Sequence, residues 1–156
     1  MAMGENSTGM KRKECLINDH NTKDYPQSIQ AKHLFLDDKR IPSDVAKYIL
    51  PLDLRDVYQR GGWIVVRSYK DFMQHISKKG LPDLISFDHD LDNEIKPEKS
   101  PCTQTGYDCA KWLIAYIEKH HLSLPLILCH SMNPVGKANI EALFQGYRRY
   151  RFKTNK

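Results

Sequence analysis

Two carboxylates and an imidazole stand in a row at Asp88, His89 and Asp90, directly after the mostly apolar run Leu84-Ile85-Ser86-Phe87. Like charges that close repel, so each acid needs a cation, a proton or a donor beside it. A packed core has no use for such a group, and although loops favour single aspartates, three titratable residues without a spacer are more than a turn requires. The pattern recurs twice. His33-Leu34-Phe35-Leu36 runs into Asp37-Asp38-Lys39-Arg40, and the run from Leu124 to Cys129 ends in His130-Ser131. Carboxylates, imidazoles, a hydroxyl and two cations are residue types that hold a divalent cation, pass a proton or grip a phosphate.

The runs that lead into these clusters are short, apolar and bounded by turn residues, which suits strands buried on both faces. Trp63-Ile64-Val65-Val66, after Gly61-Gly62, reads as a further strand. Ser68 to Asp71 is a capping box opening a helix with Tyr69, Phe72, Met73 and Ile76 on one side, and Lys78-Lys79-Gly80 stops it. A second box at Thr105 to Asp108 opens a helix reaching about His121. Asn133 as cap and Pro134 at the first helical position open a third, with Ile140, Leu143, Phe144 and Tyr147 as its stripe. Residues 45–60, broken by Pro51, are expected to hold one or two short helices. Strands alternating with helices imply an α/β fold, a three-layer doubly wound parallel sheet. Ligands bind such sheets beyond the carboxyl ends of the strands. Strand order 2-1-3-4 would set the first and third strands side by side and bring all three clusters to one crevice, with a short fifth strand at 150–153 left open.

At 156 residues and 18.2 kDa the chain fits one domain of the usual ~100–200 residues. A polar leader is expected over 1–31, the α/β domain over 32–147 and a basic tail over 148–156. No apolar run approaches the ~20 residues of a membrane helix, and the amino terminus lacks the apolar stretch of a signal peptide; a cytoplasmic protein without membrane contact is expected. Cys15, Cys102, Cys109 and Cys129 form no C-x-x-C pair, so free thiols are expected rather than a zinc site or disulfides. The net charge of +5 equals the five cations of the tail, Arg148, Arg149, Arg151, Lys153 and Lys156. Interleaved with Tyr147, Tyr150 and Phe152, they could track phosphates and stack bases.

The stretches LFLDDKR, DLISFDHD and LILCHS resemble the receiver domain of two-component signalling. Taken with WIVVRSY, TGYDCAKWL and HSMNPVGKANIEAL, over roughly residues 33–147, they are more closely similar to the cyclic-phosphate processing receiver domains, seen with RNA-repair and phage-associated genes. The resemblance implies a receiver or flavodoxin-like fold. It places Asp37 and Asp38 at the receiver's metal-holding acidic pair, Asp88 at its phospho-acceptor and Ser131 at its phosphate-contacting hydroxyl. Two departures point away from phosphorelay: no fifth strand leads into a Lys-Pro pair, and His89, Asp90 and His130 are additions.

Carboxylates gathered at one crevice would repel unless a hard cation binds. Oxygen ligation by Asp37, Asp38, Asp88 and Asp90 suits Mg²⁺ or Mn²⁺ ahead of Zn²⁺. Such a cation could polarise a phosphate and acidify a bound water, with Asp88, His89 and His130 as catalytic groups. Lys39, Arg40, Ser131 and the helix start at Asn133 are the expected phosphate contacts. The leading expectation is a metal-dependent phosphoesterase for a cyclic phosphate, an RNA 2′,3′-cyclic end or a cyclic nucleotide. Its rivals are a phospho-accepting switch and a noncatalytic nucleotide- or RNA-binding module.

Overall fold

The computed structural model describes residues 32–49, 52–91 and 104–154. The expected leader and residues 92–103 lie outside them. Strands β1 (His33–Leu36), β2 (Trp63–Val66), β3 (Leu84–Phe87) and β4 (Leu126–Cys129) form one all-parallel sheet in the order β2-β1-β3-β4. Short helices α1 (Pro42–Val45) and α2 (Leu52–Gln59) link β1 to β2, α3 (Tyr69–Lys79) links β2 to β3, α4 (Gly106–His120) precedes β4, and α5 (Pro134–Thr154) follows it.

Register is what makes the sheet useful. Leu36 lies opposite Val66 on one side and Phe87 on the other, and Phe87 lies opposite Cys129. The four strands therefore stop on one line, and the residues just past it are Asp37, Arg67, Asp88 and His130. The ladder carries on through three of them: Asp37 N–H donates to the Val66 carbonyl at 3.1 Å, Asp88 to Leu36 at 2.8 Å and His130 to Phe87 at 2.9 Å.

Successive strand residues face opposite sides. Leu34, Leu36, Val66, Ile85, Phe87 and Cys129 bury against Phe72 and Ile76 of α3, Ala110, Leu113 and Ile117 of α4, and Ile140 and Phe144 of α5. Phe35 faces the other way, toward Val45, Ala46, Ile49 and Tyr58. Two helical layers thus enclose the sheet, as a doubly wound fold requires. By the same alternation Ser86, Asp37, Asp88 and His130 belong to the α1/α2 side.

The helix starts follow their caps. Ser68 Oγ accepts from Asp71 N–H at 3.1 Å, Thr105 and Asp108 form a reciprocal capping box, and Asn133 Oδ1 accepts from Gly136 N–H at 3.0 Å. Residues 150–153 do not form a fifth strand but continue α5. Tyr147 donates its hydroxyl hydrogen to Glu118 of α4 at 2.5 Å and Arg151 pairs with the same carboxylate at 3.1 Å, which keeps the chain helical on α4 past the end of the core. Cys109 and Cys129 are buried free thiols. Among the described residues no helix is long and apolar enough to cross a membrane.

Candidate functional site

Asp37 is fully buried and takes four donors. Its Oδ1 accepts from the backbone N–H groups of Lys39 (2.8 Å) and Arg40 (2.6 Å), and its Oδ2 accepts from Arg40 Nε at 2.7 Å and lies 3.2 Å from His130 Nε2. Burial alone would raise its pKa; the bonds from His130 and the two backbone amides, with the Arg40 charge, overcome this and hold it well below the carboxylate range. The same bonds fold the chain tightly after β1. Arg67, first after β2, ties that turn by donating from its NH1 to the carbonyls of Asp37 (3.0 Å) and Arg40 (2.6 Å).

The turn sends the Arg40 side chain back across the ends of β1 and β3. Its NH2 meets Asp88 Oδ2 at 2.8 Å and its NH1 donates to the Tyr48 hydroxyl oxygen at 2.5 Å. Asp88 Oδ1 accepts from His89 N–H at 2.8 Å. Oxygens of Asp37, Asp38 and Asp88 all lie within 4.8 Å of one another. Asp38 is the odd member: its side chain is only 10% exposed, its Oδ2 is buried without a hydrogen-bond donor, and Lys39 Nζ stays 3.7 Å away. Burial raises its pKa, with the charges of Asp37 and Asp88 pushing the same way. Three acids with converging oxygens, one of the three keeping an oxygen that no hydrogen-bond donor reaches, fit a divalent cation, and these three residues could hold one.

The histidines divide between two places. His130 is buried, stacked on Phe35 with ring centroids 4.3 Å apart. Its Nδ1 lies 2.6 Å from Ser86 Oγ, which lies 2.7 Å from the Tyr58 hydroxyl. A buried chain Tyr58, Ser86, His130, Asp37 results, and both imidazole nitrogens are spent inside it. Burial lowers the His130 pKa against the pull of Asp37 and Asp88. His89 instead turns its Nδ1 to Asp90 Oδ1 at 2.7 Å, and its Nε2 has no partner among the described residues. Asp90 is expected from the sequence among the metal ligands; the structure sets it apart from the other three, on His89 and on Asn133 Nδ2 (3.2 and 3.1 Å). Asn133, an expected phosphate contact, spends its amide on Asp90 and on capping α5. Ser131 is buried, its Oγ accepting from Asn133 N–H at 3.2 Å, and Lys39 extends outward with its side chain 68% exposed.

Two glycines set α4 and α5 against this strand end. A Cβ on Gly106 would stand 1.8 Å from the Asp88 carbonyl oxygen, and one on Gly136 would stand 2.2 Å from His89 Cγ. Gly106 also donates its N–H to the His89 carbonyl at 2.8 Å. Sequence reasoning missed these contacts, along with Tyr48, Tyr58, Ser86 and Arg67. Ser86 did carry a signal, as the one hydroxyl in a buried apolar strand, and so did Arg67, at the same strand-end position as Asp37. Tyr48 and Tyr58 carried none. A cavity of about 350 Å³ lies elsewhere, along the free edge of β4 between Leu54, Tyr58, Phe144 and Arg148.

Residues 32–146 match the family model of the cyclic-phosphate processing receiver domain. The chain belongs to that family. No curated protein and no solved structure is matched by it. In this receiver domain the cation at Asp88 is Arg40, from the turn after β1, and among the described residues no strand follows β4 to supply another.

Proposed function

We propose that this receiver domain is a metal-dependent phosphoesterase that opens a cyclic phosphate, at an RNA 2′,3′-cyclic end or in a cyclic nucleotide. The observation that supports it most is the trio Asp37, Asp38 and Asp88 within 4.8 Å, with a buried oxygen of Asp38 lacking a donor. A divalent cation there, Mg²⁺ or Mn²⁺ ahead of Zn²⁺ on an all-oxygen set, supplies Lewis-acid polarisation of a phosphate oxygen.

The side chains do the rest. Asp90 fixes the ring of His89 through Nδ1, so Nε2 is the nitrogen that takes or returns the proton; an imidazole is suited to both near neutrality. His130 holds Asp37 in place and does not touch substrate. Lys39, Arg40, the Ser131 hydroxyl and the amide groups at the start of α5, with Asn133 keeping that start in shape, hold the phosphate. The basic end of α5 is a contact for nucleic acid away from the reacting end: over the 21 residues of α5 a helix rises roughly 30 Å.

The test is turnover of cyclic mono-, di- and oligonucleotides and of RNA with a 2′,3′-cyclic end, with Mg²⁺, Mn²⁺ or Zn²⁺, read by product mass. Loss of turnover in Asp88→Asn and His89→Ala supports the proposal. Turnover that survives Asp88→Asn, or none with any cation, refutes it. One observation favours a second reading: Asp88, which the resemblance sets at the receiver's acceptor position, has a cation 2.8 Å away. A stable acyl phosphate on Asp88 after incubation with a small phosphodonor, absent in Asp88→Asn, would establish a switch instead. Nucleotide or RNA binding that survives both substitutions without turnover would leave a noncatalytic module.

A further inference from the structure

The guanidinium of Arg40 lies between the carboxylates that would hold the cation. It donates to Asp37 Oδ2 at 2.7 Å through Nε and to Asp88 Oδ2 at 2.8 Å through NH2. Those two bonds use an oxygen of each acid, while the third acid, Asp38, keeps an oxygen without a donor. A guanidinium and a divalent cation on the same pair of oxygens exclude each other by size and by charge. The side chain can leave while the backbone stays. The Arg40 backbone is anchored independently, its N–H on Asp37 Oδ1 at 2.6 Å and its carbonyl on Arg67 NH1 at 2.6 Å. The side chain has a neutral partner outside the acids in the Tyr48 hydroxyl, itself tied to the His130 carbonyl at 3.3 Å.

We propose that Arg40 is a resident counter-ion that competes with the metal for Asp37 and Asp88, and that on metal entry its guanidinium is released to the phosphate, so that metal and phosphate bind together. This rests on reading the trio as a metal site. Metal alone must displace the arginine and binds weakly. Metal with phosphate offers the displaced guanidinium a dianion in return, a bidentate match. Asp37 and Asp88 are meanwhile never left without a cation.

The experiment is calorimetric titration of Mn²⁺ into the wild type, Arg40→Gln and Arg40→Lys, each with and without inorganic phosphate, with folding checked by circular dichroism. If the guanidinium holds the site nine-tenths of the time, its removal tightens Mn²⁺ binding about tenfold. Phosphate should tighten Mn²⁺ binding to the wild type and do little for Arg40→Gln. Mg²⁺ titration of the wild type, followed on the Arg40 Nε–H resonance, needs no substitution. That proton, protected while bonded to Asp37, should exchange faster with Mg²⁺ and become protected again with phosphate. A wild type that binds no Mn²⁺ beside an Arg40→Gln protein that does would also support the proposal. Equal or weaker Mn²⁺ binding by Arg40→Gln, or an Arg40 resonance unmoved at saturating Mg²⁺, overturns the competition and leaves the metal site standing. No binding by any of the three proteins overturns both.

Discussion

Replacing Asp38 by Asn should stabilise the metal-free protein and abolish its response to metal. Like charges within 4.8 Å of one another repel by at least about 3.5 kcal/mol per pair at an effective dielectric of about 20. Arg40 pairs off Asp37 and Asp88, and Lys39 stands 3.7 Å from Asp38, so most of that repulsion is offset. What remains is a buried oxygen without a donor, a burden of about 1–3 kcal/mol. Asn keeps the shape and drops the charge, so a gain of about 1–2 kcal/mol is expected in chelator at pH 7, roughly 2–4 °C in Tm per kcal/mol for a chain of this size. The sign with pH is fixed by the raised pKa of Asp38. A raised group is at no disadvantage below its unfolded pKa, and the folded state loses ground as pH climbs through the folded value. The variant's advantage should therefore vanish below about pH 4. Added cation reverses the ranking: at a hundredfold excess over Kd the wild type gains about 2.7 kcal/mol and the variant almost none. Urea unfolding with chelator and with Mn²⁺ reads all of this. A variant less stable than the wild type in chelator, or one stabilised equally by Mn²⁺, refutes the reasoning.

Gly106→Ala should cost about 2–3 kcal/mol, since its Cβ would overlap the Asp88 carbonyl at 1.8 Å; a loss below about 0.5 kcal/mol in urea unfolding contradicts the contact. Ser86→Ala leaves the Tyr58 hydroxyl and His130 Nδ1 unpaired in the core and should cost about 1–3 kcal/mol, with no loss expected if the buried chain does not exist. His130 has a lowered pKa, so below its ordinary 6.5 the unfolded chain takes up the proton before the folded one; its contribution is present above that pH and fades as pH falls. The wild type in chelator should lose stability between pH 7.5 and 5.5 more steeply than His130→Gln, and parallel profiles count against the buried neutral ring. Deleting residues 148–156 removes five cations, of which Arg148, Arg149 and Lys153 have no acidic partner among the described residues; with those three on phosphates the salt slope of single-stranded RNA binding should fall by about 2, and an unchanged slope removes the nucleic-acid contact.

Periodicity made the frame legible. Each strand is an apolar run stopped by polar residues, each long helix opens at a cap its side chain makes, and alternation leaves only parallel pairing. The convergence of Asp37, Asp38 and Asp88 followed from placing the first and third strands side by side. The exception in the frame is α5. Tyr150 and Phe152 alternate as a strand would, yet Glu118 of α4, 29 residues before Tyr147, holds the chain in a helix, and no local pattern announces a partner that distant. In the site, residue types were readable and bonding was not. That Arg40 turns inward to the acids while Lys39 turns outward depends on the turn folded by Asp37 Oδ1, which composition cannot show.

Alternation also explains why residues of one cluster part company. Asp37, Asp88 and His130 are each the first residue past a strand end of matched register, so all three point to the α1/α2 side and bury one another, at 0%, 6% and 1% exposure. Asp38, His89 and Ser131 are each the second residue, and among the described residues their side chains make no hydrogen bond to that network, although Asp38 stands within 4.8 Å of Asp37 and Asp88. Two of them hold the site's unfilled positions: a donorless oxygen on Asp38 and a ring nitrogen without a described partner on His89. Chemistry needs unsatisfied groups and folding penalises them, and one step of a strand keeps the two demands on different residues. The first position supplies the hydrogen-bonded network that fixes geometry. The second presents open valences to whatever enters the crevice, and Arg40, reaching between the two sets, is the residue that must move when it does.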